Sequence, residues 1–209
     1  MTKVKICGIT NLEDARHAVE SGADYLGFIF YPESKRFVTA EMAAAIIAQL
    51  PKNIVPTGVF VNVRVNEIVE ITHLAGLGAI QLQGNESKEF VSELGSNTDA
   101  MIVKAFHLRN ETELSHLDGY QADGFLLDTY SATERGGTGR TTDWNIAEKI
   151  SKRVSKFYLA GGLGPDNVVE AIRRVRPYAV DACSRLEASP GKKDPTKVAA
   201  FIKAAKEAL

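Results

Sequence analysis

Val55-Pro56-Thr57-Gly58-Val59-Phe60-Val61, then Val65-Asn66-Glu67-Ile68-Val69-Glu70-Ile71-Thr72-His73-Leu74-Ala75, then Ala79-Ile80-Gln81-Leu82 is the stretch whose reading decides the fold. The first piece is a short apolar run, and the last is another. Such runs suit strands buried on both faces. The middle piece has helical spacing, with Ile68, Ile71, Thr72 and Ala75 on one inward face. A strand, a helix and a second strand in succession make one β–α–β unit, the building block of a parallel sheet.

Outward from this unit the cycle repeats in both directions. Upstream, strands are predicted over 4–9 and 25–30. They are followed by helices at 12–21, capped by Asn11 and stopped at Gly22, and at the segment carrying Met42, Ile46 and Leu50, capped by Thr39 and ended by Pro51. Downstream, a helix is predicted over 87–94, a strand over 100–106 and, at best, a weak helix over 111–117. Then come a strand over 124–127, a helix over 144–150, a strand over 157–160 and a helix over 165–175 that opens on Pro165. A strand over 178–183 and a helix over 195–209 complete the series. Eight such units predict an α/β fold, a (β/α)₈ barrel, and 209 residues is near the lower size limit of that fold. No Pro/Gly/Ser linker divides the chain, so residues 1–209 are expected to form a single domain. A doubly wound sheet would carry a glycine fingerprint after the first strand, where this chain has Cys7-Gly8-Ile9-Thr10.

Composition excludes several classes. The apolar fraction of 44% and charged fraction of 24% are those of an ordinary globular protein, and the net charge of −1 advertises neither nucleic acid nor an anionic membrane. The two cysteines, Cys7 and Cys183, cannot build a disulfide framework, and no Cys/His cluster has zinc spacing. The first residues hold no apolar stretch of signal-peptide length, and the run Met42–Leu50 is too short to span a bilayer. The expected setting is the reduced cytoplasm, with no nucleic-acid or membrane partner. No long apolar surface face stands out, so a monomer is expected.

In a barrel, chemistry sits at the C-terminal strand ends. The polar residues there are Cys7, then Ser34-Lys35-Arg36, Asn62, Gln81 and Gln83, Lys104 and His107, Asp128, and finally Asp181, Cys183 and Ser184. Two glycine loops follow consecutive strands: Gly136-Gly137-Thr138-Gly139 and Gly161-Gly162. Glycine allows the close backbone approach that a phosphate cradle needs, and the pairing of two such loops favours a phosphate site over plain tight turns. Cys7 reads either as a small buried hydrophobe or as a reactive thiol. No histidine is placed to activate it as a nucleophile, so proton abstraction from carbon fits better, with Cys7 as base and Asp128 as acid. As a residue alone, Asp128 reads equally well as a loop cap.

Read together, these residues resemble the phosphoribosylanthranilate isomerases of tryptophan biosynthesis. The resemblance runs through Lys5-Ile6-Cys7-Gly8-Ile9-Thr10, Ala23-Asp24-Tyr25-Leu26-Gly27-Phe28-Ile29-Phe30, Ser34-Lys35-Arg36, Gly58-Val59-Phe60-Val61-Asn62 and Ile80-Gln81-Leu82. It continues through Leu127-Asp128, Gly136-Gly137-Thr138-Gly139, Leu159-Ala160-Gly161-Gly162-Leu163, Asp181, Glu187 and Gly191-Lys192-Lys193-Asp194. It implies a barrel with a poorly formed fifth helix. It also implies a cofactor-free Amadori rearrangement of N-(5-phosphoribosyl)anthranilate to 1-(2-carboxyphenylamino)-1-deoxyribulose 5-phosphate. Asp128 would be the general acid and Cys7 the general base. Arg36 would pair with the anthranilate carboxylate, with Gln83 and Asp181 as further substrate contacts. Gly137, Gly139, Gly161, Gly162, Ser184 and Arg185 would surround the phosphate.

Two segments depart from the family pattern. Gln-Leu-His-Gly becomes Gln81-Leu82-Gln83-Gly84, and Asp-Val-Ser-Ser-Gly-Val-Glu becomes Asp181-Ala182-Cys183-Ser184-Arg185-Leu186-Glu187. Gln83 donates a hydrogen bond but cannot become cationic. Arg185 replaces a glycine expected to offer its backbone to phosphate; its side chain either obstructs that approach or adds a phosphate contact through its charge, and obstruction is the expectation. A barrel that binds phosphate ligands without turnover is the alternative these changes raise. The related indole-glycerol phosphate synthase is disfavoured because the chain starts directly at strand 1. The histidine-pathway isomerase is disfavoured because Cys7 stands where a carboxylate is expected.

Overall fold

The structure is a computed structural model and describes residues 1–108, 110–129 and 142–209. Eight strands close into a barrel in the order in which they occur along the chain. They are β1 (Lys3–Cys7), β2 (Tyr25–Ile29), β3 (Val55–Phe60), β4 (Ala79–Leu82), β5 (Met101–Phe106), β6 (Gly124–Leu127), β7 (Phe157–Leu159) and β8 (Ala179–Ala182). Every neighbouring pair is parallel, and β8 returns to β1 with Lys5 opposite Asp181 and Ile6 opposite Ala182. The (β/α)₈ barrel expected from the alternation of short and long segments is the fold observed.

The helices between the strands are α1 (Leu12–Glu20), α2 (Ala40–Ile47), α3 (Val65–Ala75), α4 (Lys88–Gly95), α5 (Trp144–Ser151), α6 (Val168–Val175) and α7 (Pro195–Lys206). Local chemistry sets their starts. The side chains of Asn11, Thr39, Ser87, Asp143 and Asp194 accept backbone N–H groups of the first turns of α1, α2, α4, α5 and α7, which would otherwise lack partners. Helix α3 ends on Gly76, whose left-handed φ of 70° suits a residue without Cβ. In α2, Ala43 and Ile46 turn inward while Met42 stays 47% exposed, so its apolar positions do not form a single stripe.

Three differences from the sequence reading have local causes. The segment Glu111–Leu117 is a 3₁₀ helix in place of an α-helix; few of its residues are apolar, and only Leu117 is buried. Helix α6 starts at Val168 rather than Pro165. The Asn167 side chain accepts the Gly164 N–H and donates to the Gly162 carbonyl, which holds the intervening residues in a turn. After β8 the chain makes a 3₁₀ turn (Ser184–Leu186) and a small antiparallel hairpin of β9 (Glu187–Ser189) and β10 (Lys192–Lys193), turned at Gly191 with φ 84°. These strands are too short to leave a periodicity in the sequence.

Alternation along β1 shows how the barrel divides its surfaces. Val4 and Ile6 join the apolar layer that also contains Ala15, Val198 and Phe201 of the surrounding helices. The buried Lys5 and Cys7 alternate with them and point into the barrel. One part of the interior is an apolar cluster including Tyr25, Val103, Leu126 and Tyr158, with the Tyr25 and Tyr158 rings edge to face at 5.9 Å. Charge is also buried inside. Lys5 Nζ lies 2.7 Å from Asp181 Oδ2, with side chains 1% and 6% exposed.

A second buried pair braces the ends of β3 to β5. Lys104 donates to Glu86 Oε2 at 3.0 Å and to the carbonyls of Leu82, Gly84 and Ala105. Glu86 Oε1 accepts the backbone N–H groups of Asn62 and Gly84. Asn62 takes a left-handed φ of 52° there, and its side chain accepts the Asn85 N–H. Glu86→Ala removes one carboxylate from all of these bonds, so it should cost about 3–5 kcal/mol, as breaking buried pairs does. Urea unfolding checks this; a loss within the range of an ordinary surface substitution would contradict the bracing role.

Candidate active site

The strand ends surround a cavity of about 840 Å³, including its mouth, and residues from β1, β2, β3, β4 and β8 and from the segments after β2, β3, β4, β6, β7 and β8 line it. Cys7, Arg36, Gln83, Asp128, Asp181, Gly161, Gly162, Ser184 and Arg185 all contribute to that lining. Thus the structure brings together, in one cavity, nine of the eleven residues singled out from the sequence. Gly137 and Gly139 lie outside the described residues.

Asp128 follows β6 and both its oxygens are engaged. Oδ1 accepts the Thr129 N–H at 2.8 Å, and Oδ2 accepts the Gln83 amide at 2.9 Å. Gln83 is itself oriented by Gln81, whose Nε2 donates to Gln83 Oε1 at 2.7 Å. The remaining contact of Gln83 Nε2 is His107 Nε2 at 3.4 Å, and His107 Nδ1 lies 3.2 Å from the Thr129 carbonyl. A carbonyl only accepts, so the network assigns the proton of neutral His107 to Nδ1 and makes Nε2 an acceptor. Gln83 therefore does at Asp128 what its position requires: it donates.

Cys7 ends β1 and is buried. Its side chain hydrogen-bonds that of Cys183, and this contact together with burial pushes the Cys7 thiol well above its ordinary range. The same contact lowers the Cys183 thiol to about 7, against burial and with help from Lys193 and Arg36. Below Cys7, burial works to lower the Lys5 pKa, but Asp181 and Cys7 outweigh it and hold the ammonium above its usual value. Burial raises the Asp181 carboxyl despite Lys5, and its Oδ1 is a buried oxygen without a hydrogen-bond partner.

Arg36 is held rather than mobile. Its Nε and Nη2 both lie 2.7 Å from the Glu187 carboxylate, a bidentate fork that leaves Nη1 outside the pair. Lys193 Nζ reaches the same carboxylate at 3.1 Å. Burial pushes the Glu187 carboxyl up, and the bonds from Arg36 and Lys193 bring it below its ordinary range.

Gly161 and Gly162 turn the loop after β7 with φ of 87° and 63°. A Cβ on Gly161 would stand 2.1 Å from Thr142 Oγ1 and 2.2 Å from Thr129 Oγ1, so the packing of these two threonines against the loop requires glycine here. Arg185 sits in the 3₁₀ turn with a φ outside the left-handed region; the described non-glycine residues with positive φ are Asn62 and Arg176. Its guanidinium donates to the Gly162 carbonyl at 3.0 Å and to Asp166 at 2.9 Å, tying the loop after β8 to the loop after β7.

Lys5, Lys193 and Glu187 were given no role from the sequence. A signal existed for the first: a charge in the middle of an otherwise apolar strand, matched by Asp181 in β8. The contacts of Lys193 and Glu187 depend on the hairpin, which the sequence did not disclose.

The sequence matches the family described as N-(5'phosphoribosyl)anthranilate (PRA) isomerase over residues 4–204. It is 47% identical over 209 residues to an N-(5'-phosphoribosyl)anthranilate isomerase of Trichlorobacter lovleyi, covering 100% of both chains. Its structure is similar to that of the phosphoribosyl anthranilate isomerase of Thermotoga maritima, with 43% identity, a TM-score of 0.92 and 99% of each chain covered. It is also similar to a phosphoribosyl anthranilate isomerase in complex with reduced 1-(o-carboxyphenylamino)-1-deoxyribulose 5-phosphate, with 41% identity, a TM-score of 0.88 and 99% of each chain covered.

The lowered Glu187 carboxyl makes part of the fold's stability depend on pH. A depressed carboxylate contributes fully above its unfolded pKa and loses that contribution as pH falls through the folded one. The native protein should therefore lose stability on acidification below about 4.5, and Glu187→Gln, less stable at neutrality, should lose less over the same interval. Urea midpoints across that range check this; equal slopes for the two proteins would contradict it.

Proposed function

The chain belongs to the N-(5'-phosphoribosyl)anthranilate isomerase family, and we propose that the cavity at its strand ends performs that reaction with the following division of labour. The activity is the isomerisation of N-(5'-phosphoribosyl)anthranilate in tryptophan biosynthesis. The observation that carries the assignment of roles is the meeting of Cys7 from β1 and Asp128 from the end of β6 in one cavity.

Asp128 delivers a proton to the furanose ring oxygen, and the ring opens to a protonated Schiff base. This creates an electron sink next to C2, which acidifies its proton. The Cys7 side of the cavity removes that proton, leaving an enolamine that tautomerises to the ketone. Gln83 supports Asp128 by fixing its orientation; a neutral amide suffices for that, so the missing family histidine does not remove the acid. Asp181 has an unpartnered Oδ1 in the cavity wall, suited to accept a hydrogen bond from a sugar hydroxyl. Arg36 receives the anthranilate carboxylate through the edge left outside its fork with Glu187. The glycine loop after β7 and the turn Ser184–Leu186 flank the phosphate.

Loss of the fluorescence of freshly prepared substrate measures turnover directly. Cys7→Ala and Asp128→Ala should each lower kcat by about 10²–10⁴-fold with the fold intact. Near-native rates in either variant would overturn its assigned role. Ligand binding without turnover by the unmodified chain would favour the alternative of a binding-only barrel. Arg36→Met should mainly raise KM, because the carboxylate it receives is remote from the proton transfers and Lys193 still faces Glu187. An unchanged KM would contradict that contact.

A further inference from the structure

The cavity contains a second thiol for which the reaction as described has no use. Pairing of Lys5 with Asp181 and Ile6 with Ala182 leads directly to Cys7 and Cys183 at the ends of adjacent strands. Both sulfurs fill space left by glycines: a Cβ on Gly27 would lie 2.7 Å from Cys7 Sγ, and one on Gly8 would lie 2.9 Å from Cys183 Sγ. The two side chains act on each other's ionisation, Cys183 raising the Cys7 thiol and Cys7 lowering that of Cys183.

Their charged surroundings differ. Beneath Cys7, Lys5 and Asp181 form a buried pair whose charges cancel. Beside Cys183, Lys193 Nζ lies 3.8 Å from Sγ and 3.3 Å from the Cys183 carbonyl. Glu187 is shared between Lys193 and Arg36, so two cations face one carboxylate. The side chains of Arg36, Lys193 and Glu187 are only 15%, 1% and 4% exposed, and the surplus positive charge is therefore poorly screened by water. Uncompensated buried charge is costly, and among the described residues the further group in contact with it that can become an anion is Cys183.

We propose that Cys183 is a positioning residue of the isomerisation: with Cys7 it forms a dithiol pair holding one thiolate, which rests on Cys183 until a substrate anion arrives at Arg36. The proposal rests on the roles given above to Cys7 and Arg36. In the empty site Cys7 S–H donates to the Cys183 thiolate. The substrate carboxylate neutralises the surplus charge at Arg36, and the reason for holding the anion at Cys183 disappears. The proton of Cys7 then passes to Cys183, so Cys183 becomes a thiol and Cys7 a thiolate. One S–H bond breaks and one forms, and the charge of the pair does not change. Cys7 is thereby ready to take the C2 proton only when substrate is in place.

Among the described residues, the ionisable groups facing the pair are Lys5 on β1, Asp181 on β8, Arg36 after β2, Asp128 after β6, Glu187 on β9 and Lys193 on β10. The pair's protons come off in two macroscopic steps, and the first belongs to Cys183 in this arrangement.

Thiolate absorbance at 240 nm, followed against pH in the unliganded enzyme, tests the assignment. Wild type and Cys7→Ser should both show a thiolate forming near pH 7, as the lowered Cys183 thiol requires. In Cys183→Ser the first ionisation should move to higher pH, because the remaining thiol is buried beside a charge-balanced pair. The rising limb of kcat/KM should move upward with it, so activity lost near neutrality returns at higher pH. Serine is the residue of the family pattern here, so this variant is expected to fold, and Cys183→Ala provides a second check. A merely structural role for Cys183 would lower kcat/KM equally at all pH values. An unmoved limb, or identical thiolate titrations of wild type and Cys183→Ser, overturns the proposal. If Cys7→Ala abolishes turnover while the limb stays unmoved, this pairing alone fails; if Cys7→Ala keeps near-native turnover, the underlying roles fail too.

Discussion

The seam where β8 meets β1 is the constraint on which the site depends. Closing the barrel puts Lys5 opposite Asp181, and their ion pair at 2.7 Å lies where water hardly reaches. A buried pair of this kind is weak evidence of net stabilisation, because desolvating both charges offsets much of their attraction. Its consequence is positional. It sets a polar floor beneath the cavity and carries the register upward to Cys7 and Cys183. An apolar pair at the same place would fill the space but leave the thiols above a featureless floor.

Around this floor the structure fixes polar groups by having each held by another. Gln81 orients Gln83, and Gln83 and the Thr129 N–H hold Asp128. Glu187 holds Arg36, and Lys193 holds Glu187. Such chains restrict side chains that would otherwise sample several rotamers, so Asp128 and Arg36 are held in one orientation in the cavity. The hairpin of β9 and β10 matters for this reason. It is a minor element of the fold, yet it supplies both partners that confine Arg36.

Two of the residues that depart from the family pattern, Gln83 and Arg185, are absorbed by these same local networks. Gln83 retains the donor function through its amide, and the tautomer of His107 is matched to the second amide hydrogen. Arg185 finds an acceptor in Gly162 and a counter-charge in Asp166, with its backbone in a turn that needs no glycine. In both places the altered residue is accommodated by a neighbour distant in sequence.

The amino-acid sequence by itself determined the eightfold alternation of strand and helix, the caps at Asn11 and Thr39, and the gathering of Cys7, Asp128 and the glycine loop at the same ends of the strands. These features depend on short-range periodicity, on capping chemistry and on the rule that a barrel's strand ends face one way. The weak fifth helix was legible too, since Glu111–Leu117 lacks a continuous apolar face. Only the tertiary structure decided that Lys5 and Asp181 neutralise each other, that Arg36 is already occupied by Glu187, and that Cys7 touches Cys183. Each of these contacts joins residues more than a hundred positions apart. Local pattern carries no information about which charges meet across a closed barrel, because closure and strand register set those distances.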